Sequence, residues 1–527
     1  MKSSLVKVVL VSTGAVLFNI FFWNEKLALN GLLFDAFTLT ALFYLYPASL
    51  NKATVRWLLT AHIIALATVL IHNTVLSKLA FTSTLLLLVV FVQYLHRSLW
   101  YAGASAALNY ILLLPSFWSL VKGIKTNGNN SYGVRKALRF LIIPLLLLIA
   151  FVILYNFANS VFSQIINDAG LAISRFFSNI FNWVSWERCW FLLLGLVVTG
   201  GLLLKTNTSY FSTADLKQPD NLIRKKNNLQ EWKKSNWFEL LTLLMGRFAN
   251  GAMALRNENT TGIISLLLLN ILLLFINAID VLYVWFGFTY NNNINLSEYV
   301  HEGAGLLIFS IVLAMLLLLF FFRGNLNFYK KNKWLKQGAY LWIIQNSILV
   351  ISVLIRDYYY IIHYGLAYKR IGVLVFLLMV LMGLITVFIK IQQQKTNYFL
   401  LKVNAWFAII VLVLASCIHW DETIAGYNLA RKNSIALDVK FLLTLSDKTL
   451  PLLEKNQDVL TQKQSGAQDS EGDYLYRSNL SFKQLFDKRK ADFILSQNNY
   501  SWLSWNHADA YTREQLSGGN ATSFINH

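Results

Sequence analysis

The sequence predicts an all-α fold, a polytopic helical membrane protein with about 11–13 transmembrane helices and a small helical soluble C-terminal domain. Two observations predict the membrane part. Of the 527 residues, 56% are hydrophobic and 14% are charged, and the mean hydropathy is +0.49. Apolar runs of roughly 20 residues recur along most of the chain, and a helix of that length crosses the hydrocarbon core of a bilayer. The runs lack the two-residue alternation of barrel strands, so helices must satisfy their backbone groups.

The predicted membrane segments fall into two blocks with a more polar stretch between them. N-terminal transmembrane helices occupy 1–120, further spans with amphipathic segments and basic loops occupy 121–258, a second transmembrane block occupies 259–420, and a helical tail occupies 421–527. The apolar segments are 5–22, 31–49, 57–72, 79–95, 101–120, 140–158, 190–204, 262–287, 303–322, 339–356, 371–390 and 403–419.

Basic loops orient the predicted helices. The net charge of +20 is carried mainly by loops 121–139, 205–236, 323–338 and 390–402. All four can lie on one side of the membrane, and cytoplasmic loops are enriched in Lys and Arg. We therefore expect a multi-pass protein of the bacterial inner (cytoplasmic) membrane with an extracytoplasmic tail. The charge fits contact with the lipid bilayer and its anionic head groups, and no nucleic acid is expected as a partner.

The orientation of the N-terminus stays open. Lys2 and Lys7 precede the first apolar stretch, and no small-residue cleavage site follows, so we interpret the stretch as a retained helix. The lysines favour a cytoplasmic N-terminus, whereas five apolar segments before the loop 121–139 require an external one. Either one segment is re-entrant or the short N-terminal tail is translocated.

Two stretches have the pattern of helices that lie along a membrane surface. In 161–186, apolar residues such as Phe162, Ile166 and Ile173 recur at helical spacing, and polar residues take the other face. The stretch 237–254 shows the same pattern more weakly. Packing on the helix bundle and contact with lipid explain both stretches equally well.

The composition changes from residue 421 onward. The tail carries twelve basic and thirteen acidic residues, half of all the acids in the chain. Helical patterns cover about 423–432, 436–455, 480–496 and 501–516, with a polar linker at 462–473. We expect a small helical domain whose end, from Ser517, is disordered.

Six stretches are similar to one known family. They begin at residues 19 (Asn-Ile-Phe-Phe-Trp-Asn-Glu-Lys-Leu), 296 (Leu-Ser-Glu-Tyr-Val-His-Glu-Gly), 342 (Trp-Ile-Ile-Gln-Asn), 365 (Gly-Leu-Ala-Tyr-Lys-Arg-Ile-Gly), 421 (Asp-Glu-Thr-Ile-Ala-Gly-Tyr-Asn-Leu-Ala-Arg) and 437 (Leu-Asp-Val-Lys-Phe-Leu-Leu-Thr-Leu-Ser). In them the chain resembles an uncharacterised family of polytopic bacterial inner-membrane proteins catalogued as a domain of unknown function. The resemblance implies an envelope location and carries no activity or site residue.

No sequence motif identifies an enzyme, a cofactor or a metal site. The sequence lacks the phosphate-binding, dinucleotide-binding, zinc-protease and serine-hydrolase motifs. Cys189 and Cys417 do not have the spacing of metal ligands, and either two unpaired thiols or a disulfide fits their expected position near the outer face. The sequence therefore favours a protein without catalytic residues or a cofactor.

A polar cluster is expected near the outer face. Its members are His301, Glu302, Arg356, Asp357 and His363. Three interpretations remain open: head-group residues flanked by an aromatic belt, an ion pair of Arg356 with Glu302 or Asp357 that locks the bundle, or a ligand or catalytic site. With His419 added, these residues still lack the spacing of a metal site.

Within the predicted hydrocarbon region, Asp35 and His62 fall on adjacent spans. They form the one candidate pair for a proton relay, because buried ionisable groups in membranes are costly and tend to serve a function. Asn109, Asn270 and Gln345 are also expected there, as residues that form hydrogen bonds between helices.

Three functions are compatible with the sequence. The first is a non-enzymatic envelope scaffold, sensor or assembly partner whose tail binds another protein. The second is a transporter or channel for a small or lipidic solute, although the internal repeats of secondary transporters are not evident. The third is an enzyme acting on lipid-linked substrates.

Overall fold

The computed structural model confirms the all-α, polytopic fold. It describes residues 4–123, 185–206, 209–224, 254–286, 296–322, 324–435, 437–464 and 481–517, with scattered positions between 148 and 170. Within these ranges, eight helices are long and apolar enough to cross a membrane, one bent pair would make a ninth span, and two apolar helices are shorter. The one extended pairing in the same ranges is an isolated bridge between Asn221 and Lys395.

The described helices follow the chain in this order. They are α1 (Ser4–Phe22), α2 (Leu29–Leu45), α3 (Ala53–Ile71), α4 (Val75–Gln93), α5 (Leu99–Ile111), α6 (Leu113–Gly123), α7 (Trp186–Leu203), α8 (Tyr210–Lys217), α9 (Ala254–Asp280), α10 (Leu296–Phe321), α11 (Lys333–Tyr364), α12 (Tyr368–Gln392), α13 (Asn397–Ser416), α14 (Trp420–Ala430), α15 (Val439–Thr444), α16 (Leu450–Glu454), α17 (Gln457–Gln464), α18 (Phe482–Asn498) and α19 (His507–Leu516).

Helices α1–α7 form the first bundle around one apolar core. Small residues let α1 and α7 approach closely, because a Cβ at Gly195 would lie 2.9 Å from the carbonyl oxygen of Ala15. The turn between α3 and α4 is tight. Asn73 takes a φ of 47°, and Thr74 and Ser77 cap α4 reciprocally.

Helices α9–α12 form the second bundle, which is held by a polar seam between α9 and α11. The amide of Asn270 donates to the carbonyl oxygen of Gly338 at 3.0 Å, and the amide of Asn277 donates to the carbonyl oxygen of Gln345 at 3.0 Å. Both bonds join residues 68 apart in sequence, so α9 and α11 run parallel in a fixed register. Amide bonds of this kind fix helix register inside a membrane.

Helix α13 lies between the two bundles. On one side, Trp406 packs edge-to-face on Phe91 of α4, with ring centroids 5.6 Å apart. On the other side, the amide of Asn404 donates to the hydroxyl of Thr386 on α12 at 2.8 Å. This helix joins the bundles into one membrane domain.

The tail forms a third core, which also includes Ile371 at the start of α12. Phe482 and Phe486 of α18 are buried in it, and Ser481 begins that helix through a capping box with Gln484. The predicted helices 423–432 and 480–496 match α14 and α18 within a few residues. The predicted helix 436–455 is divided into α15, a 3-10 turn and α16, α17 lies beyond the predicted ranges, and the predicted helix 501–516 begins only at His507.

The tail touches both bundles at one end of the membrane domain, the tail end. The hydroxyl of Ser504 donates to Glu25 at 2.5 Å, in the loop between α1 and α2. The backbone N–H of Leu366, between α11 and α12, donates to Asn428 at 2.6 Å. The tail therefore connects the two bundles on the side where these loops lie.

The basic loops meet at the opposite end, the basic end. The backbone N–H of Leu222 donates to the carbonyl oxygen of Gln394 at 2.8 Å, and the amide of Gln394 donates to the carbonyl oxygen of Asn327 at 3.0 Å. The described parts of loops 205–236, 323–338 and 390–402 thus share one end, as the charge pattern predicts. Most of loop 121–139 lies outside the described residues.

The structure also relates the N-terminus to these two ends. Helix α1 ends at the tail end, beside Glu25, so it begins at the basic end. The pair α5 and α6 is bent by 63°. Tyr110, near the end of α5, still lies beside Gly201 at the basic end of α7. Helix α1 thus begins on the side of the described basic loops, and the bent pair α5 and α6 is either a broken span or a re-entrant loop.

Several predictions fall outside the described residues. Of the surface stretch 161–186, residues 161–168 are helical and most of the rest is not described, and stretch 237–254 lies outside. Segment 140–158, the linker 462–473 and the end after Ser517 lie mostly outside as well. Cys189 and Cys417 are both free thiols.

Candidate functional site

Three helices of the first bundle bring a carboxylate, an imidazole and a hydroxyl together. His62 Nε2 lies 3.0 Å from Asp35 Oδ1, and His62 Nδ1 lies 2.9 Å from Thr84 Oγ1. Asp35 is 1% exposed, and His62 and Thr84 are fully buried. The ring of His62 stacks on Phe81 at 5.2 Å, which holds its orientation. We call Asp35, His62 and Thr84 the core triad.

The hydrogen bonds of the core triad assign its protons. The hydroxyl of Thr84 donates to the carbonyl oxygen of Ala80 at 2.7 Å, the usual bond of a threonine inside a helix. Its single proton is then used, so it accepts from the Nδ1–H of His62. One further proton lies between Nε2 of His62 and Oδ1 of Asp35. The pair is neutral overall whichever atom holds that proton, as a low-dielectric interior requires.

The ion pair of the second bundle lies between α9 and α11. A guanidinium nitrogen of Arg356 donates to Asp280, and both side chains are at most 10% exposed. The sequence predicted Glu302 or Asp357 as the partner of Arg356. The structure shows Asp280 as a partner, and Asp357 is buried next to it in the chain. This pair continues the polar seam toward the tail end.

The structure describes the rest of the predicted polar cluster only in part. His301 and Glu302 lie in α10, and their side chains are outside the description. His363 lies in the last turn of α11, two turns beyond Arg356. Among the side chains that the structure describes, no three His, Cys, Asp or Glu residues come close enough to hold a metal ion.

A second buried carboxylate lies at the basic end. Tyr398 donates to Asp215 Oδ1 at 2.5 Å, and the other oxygen accepts from His96 at 3.1 Å. The backbone N–H groups of Arg97 and Ser98 also donate to it, at 2.7 and 3.2 Å. Burial raises the pKa of the Asp215 carboxyl, but these four donors outweigh burial and lower it below its usual value. Asp215 is therefore an ionised anchor between α4, α8 and α13.

Sequence reasoning did not single out this cluster. The signal was present, because Asp215 is one of three acids in the otherwise basic stretch 205–236. An isolated acid in such a loop is a natural partner for the histidine and arginine that directly follow α4. The pairing spans 119 residues, so no local pattern indicated it.

Cationic and imidazole groups connect the tail to α3. Lys448 donates to the carbonyl oxygens of His72 and Asn73, at 2.5 and 2.6 Å. Next to it, His419 accepts from the backbone N–H of Glu422 and so caps α14 at 3.2 Å. The rings of His72 and His419 lie 5.5 Å apart. We call Lys448, His72, Asn73 and His419 the tail latch.

Two groups of the tail latch, His419 and Lys448, have pKa values below their ordinary ones. Burial, and then the charge of Lys448, lower the pKa of His419 to about 4. Burial lowers the pKa of Lys448 to about 8. At neutral pH, His419 is therefore the neutral acceptor that its capping bond requires, and Lys448 is a cation at the C-terminal end of α3, where the helix dipole favours it.

The model of one family, described as Domain of unknown function (DUF4153), matches residues 11–456. The chain belongs to this family. The match confirms the resemblance found in the sequence, and it covers both bundles and the tail up to the start of α17. No curated protein and no solved structure matches the chain. The family is described as one of unknown function, so it assigns no activity to the chain.

Proposed function

We propose that this DUF4153 protein is a non-enzymatic scaffold of the bacterial inner membrane, with an extracytoplasmic tail that presents a fixed surface to a protein partner. The observation that carries the proposal is the connection of the tail to both bundles. Glu25 binds it to the first bundle, and Leu366 binds it to the second. A tail held at several points has little orientational freedom to lose on binding, which favours recognition by a partner.

The free face of α18 supports a polar interface. Lys483, Asp487, Lys488 and Asp492 are exposed there, while Phe482, Phe486 and Phe493 of the same helix are buried in the tail core. Mixed charges at the rim of an interface give specificity and orient the approach of a partner. The partner is therefore expected to be a soluble or membrane-anchored protein with a complementary polar surface.

Co-purification from native membranes tests this function. The K483Q/K488Q variant is expected to lose a stoichiometric partner that the wild type retains. The matched control is K331Q/K333Q, which removes the same charge from exposed lysines at the basic end. A partner kept by a chain truncated after Ile418 would overturn the scaffold proposal. A reporter fused after Asp421 that gave a cytoplasmic signal would overturn the proposed orientation.

The core triad favours a second candidate, proton-linked transport of a small solute. A carboxylate and an imidazole that share one proton inside a membrane have the chemistry of a proton-binding site. H62Q is then expected to abolish proton movement in proteoliposomes that contain a pH-sensitive dye. T38V is the control, because Thr38 is equally buried and bonds only within its own helix, to Phe34. Equal dye responses for H62Q, T38V and empty liposomes would dismiss transport.

A further inference from the structure

A groove opens between the two bundles at the basic end. Its volume is about 480 Å³, within the range of roughly 300–1,000 Å³ typical of small-molecule sites. Arg97, which follows α4, and Lys402, in the second turn of α13, lie at one end of the lining. Met382, Phe407 and Ile410 supply apolar wall. The groove thus joins a cationic end to an apolar channel.

The cationic end presents two cations to the groove. Arg97 and Lys402 both pair with Asp220, at 2.6 and 2.8 Å. The second carboxylate nearby, Asp215, is bound by Tyr398, His96 and the backbone N–H groups of Arg97 and Ser98, so the side chains of Arg97 and Lys402 share Asp220. The side chain of Arg97 is 34% exposed and that of Lys402 is 18% exposed, so both remain accessible to an anion. His96 also lines the groove, but its ring nitrogens are bonded to Asp215 and Ser105.

The apolar part follows α13 into the membrane. From Lys402 to Ile410 the helix rises by about 12 Å, away from the basic end. Although α13 lies between two bundles, its buried residues are only Val413 and Ser416, in its last turn. Ile410 is 52% exposed. The side of α13 that carries Ile410 is therefore not covered by the side chains that the structure describes.

We propose that this groove binds one anionic phospholipid. Its phosphate would bind Arg97 and Lys402, and an acyl chain would lie along Trp406, Phe407 and Ile410. Basic pockets between membrane helices on the cytoplasmic side are suited to anionic head groups. A soluble phosphate would satisfy the cations but leave the apolar wall uncovered. A lipid satisfies both parts, and it fills the gap between the bundles opposite the tail. This inference does not depend on the scaffold proposal.

Native mass spectrometry of the purified full chain tests the site. The protein is mixed with equal amounts of phosphatidylglycerol and phosphatidylcholine that carry the same acyl chains. We expect one tightly retained phosphatidylglycerol, with at least fivefold preference over phosphatidylcholine. V403W fills the groove, because Val403 lines it, and is expected to lower retention about tenfold. L401W is the matched control, since Leu401 is on the same helix, 51% exposed and not part of the lining.

K402Q separates the two parts of the site. It is expected to reduce the preference for phosphatidylglycerol while leaving retention of a lipid chain. Equal retention of both lipids by the wild type would overturn the proposal, and this measurement needs no variant to fold. Equal retention by V403W and L401W would overturn it as well. Displacement of the lipid by millimolar inorganic phosphate would identify a soluble anion as the ligand instead.

Discussion

Replacing one member of the Asp35–His62 pair should destabilise the protein about as much as replacing both. In D35L, His62 loses the acceptor 3.0 Å from its Nε2. In H62L, the carboxyl of Asp35 is left without that partner in an interior where it is 1% exposed. The double variant D35L/H62L removes both groups and fills the space with apolar atoms.

The expected magnitudes follow from burial. A stranded buried polar group costs about 1–3 kcal/mol, and a stranded charge costs more. We expect losses of about 2 kcal/mol for D35L and about 3 kcal/mol for H62L. The double variant should lose about 2–3 kcal/mol, which leaves a coupling energy of about 2–3 kcal/mol between the two residues. This exceeds the average of about 0.6 kcal/mol for hydrogen bonds between membrane helices, because a carboxyl group is involved.

Unfolding of the purified protein in mixed micelles by a denaturing detergent provides the measurement, with far-ultraviolet circular dichroism as the signal. T38V serves as the control and should stay within about 0.5 kcal/mol of the wild type. The reasoning is refuted if the two single losses add in the double variant, because additivity means that the residues do not interact. A negligible loss in both single variants would show that water reaches the site.

Three further predictions concern the tail end. G365A should release the tail with a loss of about 2–4 kcal/mol, because Gly365 has a φ of 82° and a Cβ there would lie 2.4 Å from Asn428 Oδ1. Hydrogen exchange of the tail measures this, and G372A, whose Cβ meets nothing within 4 Å, should leave exchange unchanged. The pKa of His419 is lowered to about 4, against 6.5 in the unfolded chain. The contribution of His419 to tail protection is therefore complete above pH 6.5 and is lost toward pH 4, by about 1–2 kcal/mol after allowance for solvent screening. A flat exchange profile, or the same profile in H419Q, would contradict this. R356A should leave the carboxylate of Asp280 without this partner and lower the free energy of unfolding in detergent by about 3–5 kcal/mol. R356K keeps the positive charge and should recover part of the loss. Equal losses in the two variants would argue against a charge pair.

The features that a single segment encodes were predictable from the sequence. The length of the apolar runs predicted where the membrane helices lie. The lysine and arginine content of the loops predicted which of the described loops share one end. Asp35 and His62 were paired because they lie on consecutive spans, and consecutive membrane helices usually pack together. In the structure, His62 Nε2 lies 3.0 Å from Asp35 Oδ1.

Features that depend on the register between distant helices were not predictable. Arg356 and Asp280 are 76 residues apart in the sequence. They meet only because α9 and α11 run parallel and in contact, although α10 separates them in the chain. His96 meets Asp215 only after α8 folds back on the end of α4. The bend between α5 and α6 also required geometry, because hydropathy alone predicts one continuous segment over 101–120.

The contact between Ser504 and Glu25 joins segments that are 479 positions apart. During synthesis, Ser504 is added 479 positions after Glu25, when the helices of both bundles have already been made. The loop ends that the tail covers therefore lack these contacts until the tail has folded onto them. A chain cut before residue 504 would contain both bundles but not the bond to Glu25.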